Sequence, residues 1–88
     1  MDAKPTTQFQ RDFRKRIAGT PLEGELETLV GLLLAGGPLP EKYRDHPLKG
    51  DRTGLRDCHL RPDMVVLYRK TGDRLSLVRI GSHSEIFG

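Results

Sequence analysis

The chain has 88 residues, 35% of them hydrophobic, and a formal net charge of +3. This length supports one small domain, residues 1–88, with a thin core. Its single cysteine excludes an internal disulfide framework and a zinc site of paired cysteines, and it has no apolar run of the roughly 20 residues that span a bilayer. Because the N-terminus also lacks the hydrophobic stretch of a signal peptide, we expect a cytoplasmic protein with no membrane partner.

Two helices are predicted in the first half of the chain, after five polar residues that are mobile or form a short edge strand. The first helix starts near Thr7 and ends at Gly19, with apolar residues at every fourth position: Phe9, Phe13 and Ile17. The second starts with Thr20-Pro21-Leu22-Glu23, which fits a capping box with proline at the first helical position. It has a leucine-rich stripe and stops at Gly36-Gly37-Pro38, so the two helices should form a hairpin.

The second half changes to the alternating pattern of strands. Residues 38–53 show no regular period and are expected to be an ordered loop. Strands are predicted over residues 55–60, 64–70 and 75–80, with a tight corner at Pro62-Asp63 and a turn over residues 71–73. We therefore expect an α+β fold, with the helix hairpin packed on one face of a mainly antiparallel sheet.

Polar residues of this strand region should meet on one face of the sheet. Alternate side chains of a strand share a face, so Asp57 and His59 should point the same way. Arg79 and His83 should lie opposite the face that holds Val78 and Ile80. The loop before the first of these strands brings His46, so all three histidines of the chain converge.

This set of groups suits the cleavage of RNA. Two histidines can act as general base and general acid near neutral pH, and a carboxylate can orient an imidazole. An arginine can stabilise the charge of a phosphate, and an aromatic ring such as Phe87 can stack on a base. Together these groups fit attack of a 2′-hydroxyl on the neighbouring phosphorus, with no metal, cofactor or other small molecule.

Each residue also has a structural explanation that the sequence leaves open. His46 can order a loop, His59 can be a half-buried strand residue, and Arg79 can be a structural partner of a carboxylate. The three histidines can also ligate zinc, although their spacing fits no established motif. Asp57 can equally form a surface ion pair, Asp63 can be a turn residue, and Phe87 can pack on the helices. The functional interpretation depends on their occurring together.

The order of these motifs carries a family resemblance. It runs through Asp45-His46-Pro47-Leu48, Arg56-Asp57-Cys58-His59, Pro62-Asp63, Tyr68, Arg79-Ile80-Gly81-Ser82-His83 and Phe87-Gly88. In this order the segment resembles the YafQ-type toxins of the RelE/ParE superfamily, the toxic half of bacterial type II toxin–antitoxin pairs. The match is close over the second half of the chain and looser over the first.

The resemblance implies the microbial RNase (RelE-like) fold, which starts with a strand before the helix pair and has a curved sheet. It implies an endoribonuclease, an mRNA interferase that cuts messenger RNA in the ribosomal A site, and an antitoxin that binds the toxin. The implied site residues are His46, Asp57, His59, Asp63, Arg79, His83 and Phe87. His83 would be the general acid, His46 or His59 the base with Asp57 or Asp63 orienting it, Arg79 the phosphate ligand, and Phe87 would position a base.

Two other functions fit the same fold. One is a ParE-like gyrase inhibitor, which has no need for three histidines around one face. The other is a non-catalytic RNA-binding module, which explains the basic charge but not the histidines.

Overall fold

The computed structural model describes residues 2–88 as a five-stranded sheet with helices on both faces. In chain order the elements are β1 (Asp2–Pro5), α1 (Thr7–Arg16), α2 (Leu22–Ala35), β2 (His46–Pro47), β3 (Arg56–Arg61), β4 (Met64–Thr71), β5 (Arg74–Gly81) and α3 (His83–Phe87). The strands lie in the order β1-β5-β4-β3-β2. β1 runs parallel to β5 and the other neighbours are antiparallel, which confirms the α+β class and the mainly antiparallel sheet. Over residues 2–88, no helix has the length and apolar character to cross a membrane.

The main core lies between the helix pair and one face of the sheet. The helices contribute buried apolar side chains at the predicted spacing: Phe9 and Ile17 from the first helical segment, and Leu26, Leu29 and Leu33 from α2. These residues pack against the β3–β5 side chains of that face, including Cys58, Val66, Tyr68 and Ile80. The alternation of the strands therefore works as expected, and it leaves the other face for polar groups.

A smaller apolar cluster covers part of the second face. Val65 and Leu67 of β4, which alternate with Val66 and Tyr68, pack there with Ile86 of α3 and with partly buried neighbours. The partly buried neighbours are Leu48, Leu55, Val78 and Phe87. The predicted site residues lie on this same face of the sheet, next to the cluster.

A bulge in β5 corrects one predicted face. Leu67 pairs with Arg79 but Tyr68 pairs with Leu77, so Val78 is an extra residue in the ladder. Val78 consequently belongs to the smaller cluster, and the prediction that it shares the core face with Ile80 was wrong. Arg79 still occupies a register position on the face of Leu67.

The N-terminal residues form β1 at the edge of the sheet, which confirms the edge-strand alternative and the strand implied by the family resemblance. Two local predictions need correction. At the start of α2, Thr20 Oγ1 accepts a hydrogen bond from the Leu22 amide, while the Glu23 carboxylate accepts one from Gly19 rather than from Thr20, so the predicted capping box is displaced by one residue. The loop over residues 38–53 contains β2 and two 3₁₀ turns, Glu41–Tyr43 and Gly50–Arg52.

Candidate active site

Asp57 is the centre of the site. It lies on β3 with only 3% of its surface exposed, and β2 pairs with β3 so that His46 stands directly opposite it. One carboxylate oxygen, Oδ2, lies 3.7 Å from Nε2 of His46, and the other, Oδ1, lies 3.4 Å from Nε2 of His59. The two imidazole ring centroids are 6.5 Å apart. The predicted convergence of these three residues is confirmed by the geometry.

The backbone fixes the orientation of both imidazole rings. Nδ1 of His46 lies 2.7 Å from the carbonyl oxygen of Arg44, and Nδ1 of His59 lies 3.3 Å from that of Pro62. A carbonyl oxygen can only accept, so each Nδ1 carries the proton that it donates. Arg44 has a positive φ of 49°, unusual for a residue other than glycine, and this turn directs its carbonyl toward the ring.

The two rings therefore present their Nε2 atoms to a single carboxylate. A hydrogen bond between either Nε2 and Asp57 requires one further proton, on the ring or on the carboxyl group. Burial raises the pKa of Asp57, against the opposing attraction of charge on His46, His59 and His83. Within residues 2–88, Oδ1 of Asp57 is a buried oxygen with no hydrogen-bond partner. The arrangement is suited to holding and exchanging a proton.

The short helix α3 brings His83 and Phe87 to the same face. Ser82 caps it: its hydroxyl accepts from the Glu85 amide, and the Glu85 carboxylate accepts from the Ser82 amide. The Glu85 carboxylate also pairs with Arg16 of α1, and hydrogen bonds from Arg16 and from the Ser82 amide lower the pKa of Glu85 to about 2. Residues four apart on a helix share a face, and the His83 and Phe87 rings pack with centroids 4.7 Å apart.

Asp63 holds the start of this helix rather than a histidine ring. Its Oδ1 accepts a hydrogen bond of 3.3 Å from the backbone amide of His83. Of the two acids named as possible partners of the base, Asp57 is therefore the one beside both candidate rings. The observed contact of Asp63 positions His83.

Phe87 packs on the second face of the sheet and not on the helix hairpin. It joins the cluster of Val65, Leu67 and Ile86. The guanidinium of Arg52 lies 4.9 Å from the centre of its ring, and Nη2 of Arg52 donates to the carbonyl of Ile86. The ring is partly exposed and so keeps surface for a ligand.

Arg79 is held by a partner that sequence reasoning missed. Its Nε and Nη2 donate to the two carboxylate oxygens of Asp12 at 3.1 and 3.0 Å, and the Ile80 amide donates to Asp12 as well. Burial raises the pKa of Asp12, but the hydrogen bonds from Arg79, Gln8 and Ile80 outweigh it and lower that pKa. With its side chain 30% exposed, Arg79 reaches solvent while α1 restrains it.

A second missed group lies behind the His46–Asp57 pair, on the other face of the same two strands. We call it the Asp45 clamp: the Asp45 carboxylate accepts from Nε and Nη2 of Arg56 at 3.2 and 3.0 Å, and from the Tyr68 hydroxyl. Burial first, and then its hydrogen bond to Asp45, raise the pKa of Tyr68. Asp45 and Arg56 directly precede His46 and Asp57, so the clamp fixes the backbone that places the site residues.

Within residues 2–88, no three His, Cys, Asp or Glu side chains are grouped as a metal site. His46 and His59 flank the Asp57 carboxylate, while the ring of His83 packs on Phe87.

Comparison with known proteins agrees with this geometry. The family model that describes the YafQ toxin, a bacterial toxin of a type II toxin–antitoxin system, matches residues 1–88. The mRNA interferase toxin YafQ of Escherichia coli K12 is 34% identical over 88 residues, which are 99% of this chain and 96% of that protein. Curated relatives thus have the enzyme class expected from the sequence, since an mRNA interferase is an endoribonuclease.

Solved structures give the same result. In the crystal structure of the Escherichia coli DinJ–YafQ complex, the matching chain is 35% identical with a TM-score of 0.83, covering 99% of this chain and 98% of that one. A metal-bound toxin from Helicobacter pylori is 39% identical with a TM-score of 0.88, covering 99% of each chain. The expected RelE-like fold is confirmed, and the chain belongs to the YafQ family of bacterial toxins of type II toxin–antitoxin systems.

Proposed function

We propose that this protein is an endoribonuclease that cleaves messenger RNA in the ribosomal A site and is silenced by a cognate antitoxin. The observation that carries the proposal is the pair of imidazoles, His46 and His59, on the buried carboxylate of Asp57, with His83 presented by α3 on the same face of the sheet. The name of the Escherichia coli relative, an mRNA interferase toxin, supports the substrate. The DinJ–YafQ complex supports a protein partner of the antitoxin kind.

The base in this mechanism comes from the pair His46 and His59. Each ring is locked in one tautomer by its Nδ1 donation to a carbonyl, so a neutral ring presents an unprotonated Nε2. That nitrogen takes the proton of the 2′-hydroxyl as its oxygen attacks the adjacent phosphorus. The Asp57 carboxylate beside Nε2 then stabilises the imidazolium that forms.

The acid is His83. It is exposed at the start of α3. Its backbone amide donates to the Asp63 carboxylate, and its ring packs against that of Phe87. Its imidazolium protonates the 5′-oxygen as the bond from phosphorus to that oxygen breaks, leaving a 2′,3′-cyclic phosphate and a 5′-hydroxyl. Arg79 stabilises charge on the phosphoryl oxygens, and Phe87 stacks on a base.

Primer-extension mapping of cleavage with and without ribosomes tests this function. We expect cuts at codons in the A site of translating ribosomes, and little cutting of the same free RNA. Efficient cleavage of free RNA would overturn the ribosome requirement. Inhibition of DNA supercoiling without RNA cleavage would favour the gyrase-inhibitor alternative.

The variant His83→Gln should keep the fold and lose cleavage. A positioned acid is typically worth about 10²–10⁴-fold in rate, and glutamine keeps the size of the side chain without a transferable proton. Cleavage should fall on that order, while the melting temperature and antitoxin binding stay close to those of the parent. The matched control is Ser84→Ala on the same short helix; a rate near the parent's for His83→Gln would move the acid role to another histidine.

We further propose that cleavage needs no bound metal, since the histidines supply acid and base. Treatment of the purified toxin with EDTA, followed by removal of the chelator before ribosomes are added, should leave the rate unchanged. Because a Helicobacter pylori toxin of this fold has been crystallised with metal, the metal content should be measured in parallel. Activity that is lost with EDTA and restored by zinc would contradict this part of the mechanism.

A further inference from the structure

A groove next to the site is not used by the proposed acid–base chemistry. It has a volume of about 690 Å³ and runs between α2, the turn Glu41–Tyr43 and the end of β3. Its floor is apolar, with the buried side chains of Tyr43 and Leu60 next to Pro62. His59 lines one end of it, so the groove and the catalytic face share a wall.

The rim of the groove carries more positive than negative charge. Lys42, Arg44 and Arg61 are exposed there, and the Glu25 carboxylate faces them. Nε of Arg61 donates to Glu25 at 2.8 Å, so these two residues neutralise each other. Lys42 and Arg44 supply the excess charge, and the ammonium of Lys42 lies 5.1 Å from the centre of the Tyr43 ring.

We propose that this groove binds the nucleotide next to the cleaved phosphodiester, an inference that rests on the proposed function. A nucleobase has flat apolar faces and polar edges, and its size suits a groove of this volume. The base would lie against Tyr43 and Pro62, and its phosphate would meet Lys42 and Arg44. The hydroxyl of Thr28 lines the same groove and can bond to the edge of the base, which makes the groove a contributor to the sequence preference of cleavage.

The shared wall favours RNA over an acidic protein segment as the occupant. A strand whose scissile phosphate lies at Asp57, His46 and His59 must continue past His59 in one direction, and the groove opens there. The aromatic ring of Tyr43 beside the basic residues Lys42 and Arg44 suits a base with its phosphate, whereas an acidic peptide has no need of an aromatic surface beside His59.

The test uses full-length toxin carrying His83→Gln, so that RNA is bound and not consumed. Its affinity for a short single-stranded RNA is measured over a series of salt concentrations, with and without Lys42→Gln and Arg44→Gln together. Each phosphate contact to a single strand contributes about 0.7 to the slope of log affinity against log salt. The double variant should therefore bind more weakly, with a slope reduced by about 1.4 if both residues contact phosphates.

The matched control is Lys70→Gln with Arg74→Gln, which removes the same charge at the far end of β4 and β5, where both side chains are exposed. It should keep the parent's slope within about 0.7, the contribution of one contact. An equal loss in both variants, no loss in either, or no measurable RNA binding by the parent would overturn the proposal.

Two further measurements separate this inference from its alternatives. Binding of a poly-glutamate peptide should change little in the double variant; weakened peptide binding with unchanged RNA binding would overturn the assignment to RNA. In the parent without His83→Gln, Thr28→Val should change the relative use of cleavage sites, and an unaltered pattern would overturn the role in sequence preference. Because the RNA-binding measurement needs no cleavage, loss of the proposed activity and failure of the groove assignment are distinguishable.

Discussion

At the residue scale, Asp57 shows how the site departs from what is best for stability. A carboxylate with 3% exposure and one unpartnered oxygen is costly in a small domain, and two imidazoles beside it recover only part of that cost. The sequence predicted that Asp57 and His59 share a face, because strand alternation decides it. It did not predict Asp12 as the partner of Arg79, because a contact between residues 67 positions apart leaves no periodic signal.

Asp57→Asn should make the protein more stable at neutral pH and less active. The folded state raises the pKa of Asp57 above its unfolded value, so folding binds a proton, and stability falls as pH rises through the window between the two pKa values. Asparagine cannot ionise and avoids that loss. We expect a gain of about 1 kcal/mol at pH 7, which corresponds to about 4–8 °C in Tm for a domain of this size.

Thermal unfolding measures this gain in stability at pH 7 and at a pH below the pKa of Asp57 in both the folded and the unfolded state. The gain should vanish at the lower pH, where the wild-type carboxyl group is already protonated. Asp73→Asn, at the exposed turn between β4 and β5, is the control and should change little at either pH. A lower Tm for Asp57→Asn at pH 7 would show that the ionised carboxylate stabilises the fold.

At the scale of elements, the two-residue strand β2 determines whether the site exists. Its two residues cannot show an alternating pattern, so the sequence predicted only an ordered loop there. Likewise, α3 has five residues, too few for a helical period, and its capping box of Ser82 and Glu85 was not among the predicted helix starts. The long helices and β3–β5 were predictable because each repeats its pattern over several turns or alternations.

Asp45→Asn should disturb His46 through the backbone of β2. The Asp45 clamp holds this strand from the core side, while β2 has only two residue pairs with β3. Loss of the carboxylate weakens hydrogen bonds from Arg56 and Tyr68, at an expected cost of about 1–2 kcal/mol. Cleavage should fall by more than the unfolded fraction explains.

Paired measurements of Tm and of single-turnover cleavage distinguish this positioning effect from simple destabilisation. Tyr68→Phe, which removes the hydroxyl that donates to Asp45 and accepts from Arg56 but retains the ion pair of these two residues, should show a smaller change of the same kind. Asp51→Asn, on the exposed turn Gly50–Arg52, serves as the control. Full activity of Asp45→Asn at a temperature where it is folded would show that β2 needs no clamp.

At the scale of the whole molecule, the net charge and the small size determine which kind of partner the protein attracts. A net charge of +3 on 88 residues gives a positive field that attracts a polyanion or an acidic protein segment. The same charge suits both the proposed RNA and an acidic antitoxin. The composition predicted this general preference, whereas the location of the positive rim beside His59 depends on the fold of the turn Glu41–Tyr43.

Association with the proposed antitoxin should slow as salt increases. Screening weakens the attraction that guides the encounter, while close contacts that form afterwards are affected less. We expect the association rate constant to fall by roughly tenfold or more from low to high salt, with a smaller change in the dissociation rate. Stopped-flow or surface-based kinetics with the cognate antitoxin would show it, and an association rate independent of salt would contradict the electrostatic part of the idea.

The parallel pairing of β1 with β5 has a consequence for how the toxin first appears in a cell. Asp2 pairs with Arg74 and Pro5 with Leu77, so the first strand to leave the ribosome has no partner until β5 has been synthesised. α3, with His83, follows β5 in the chain. A nascent chain therefore cannot assemble the proposed site until β5 and α3 have been synthesised.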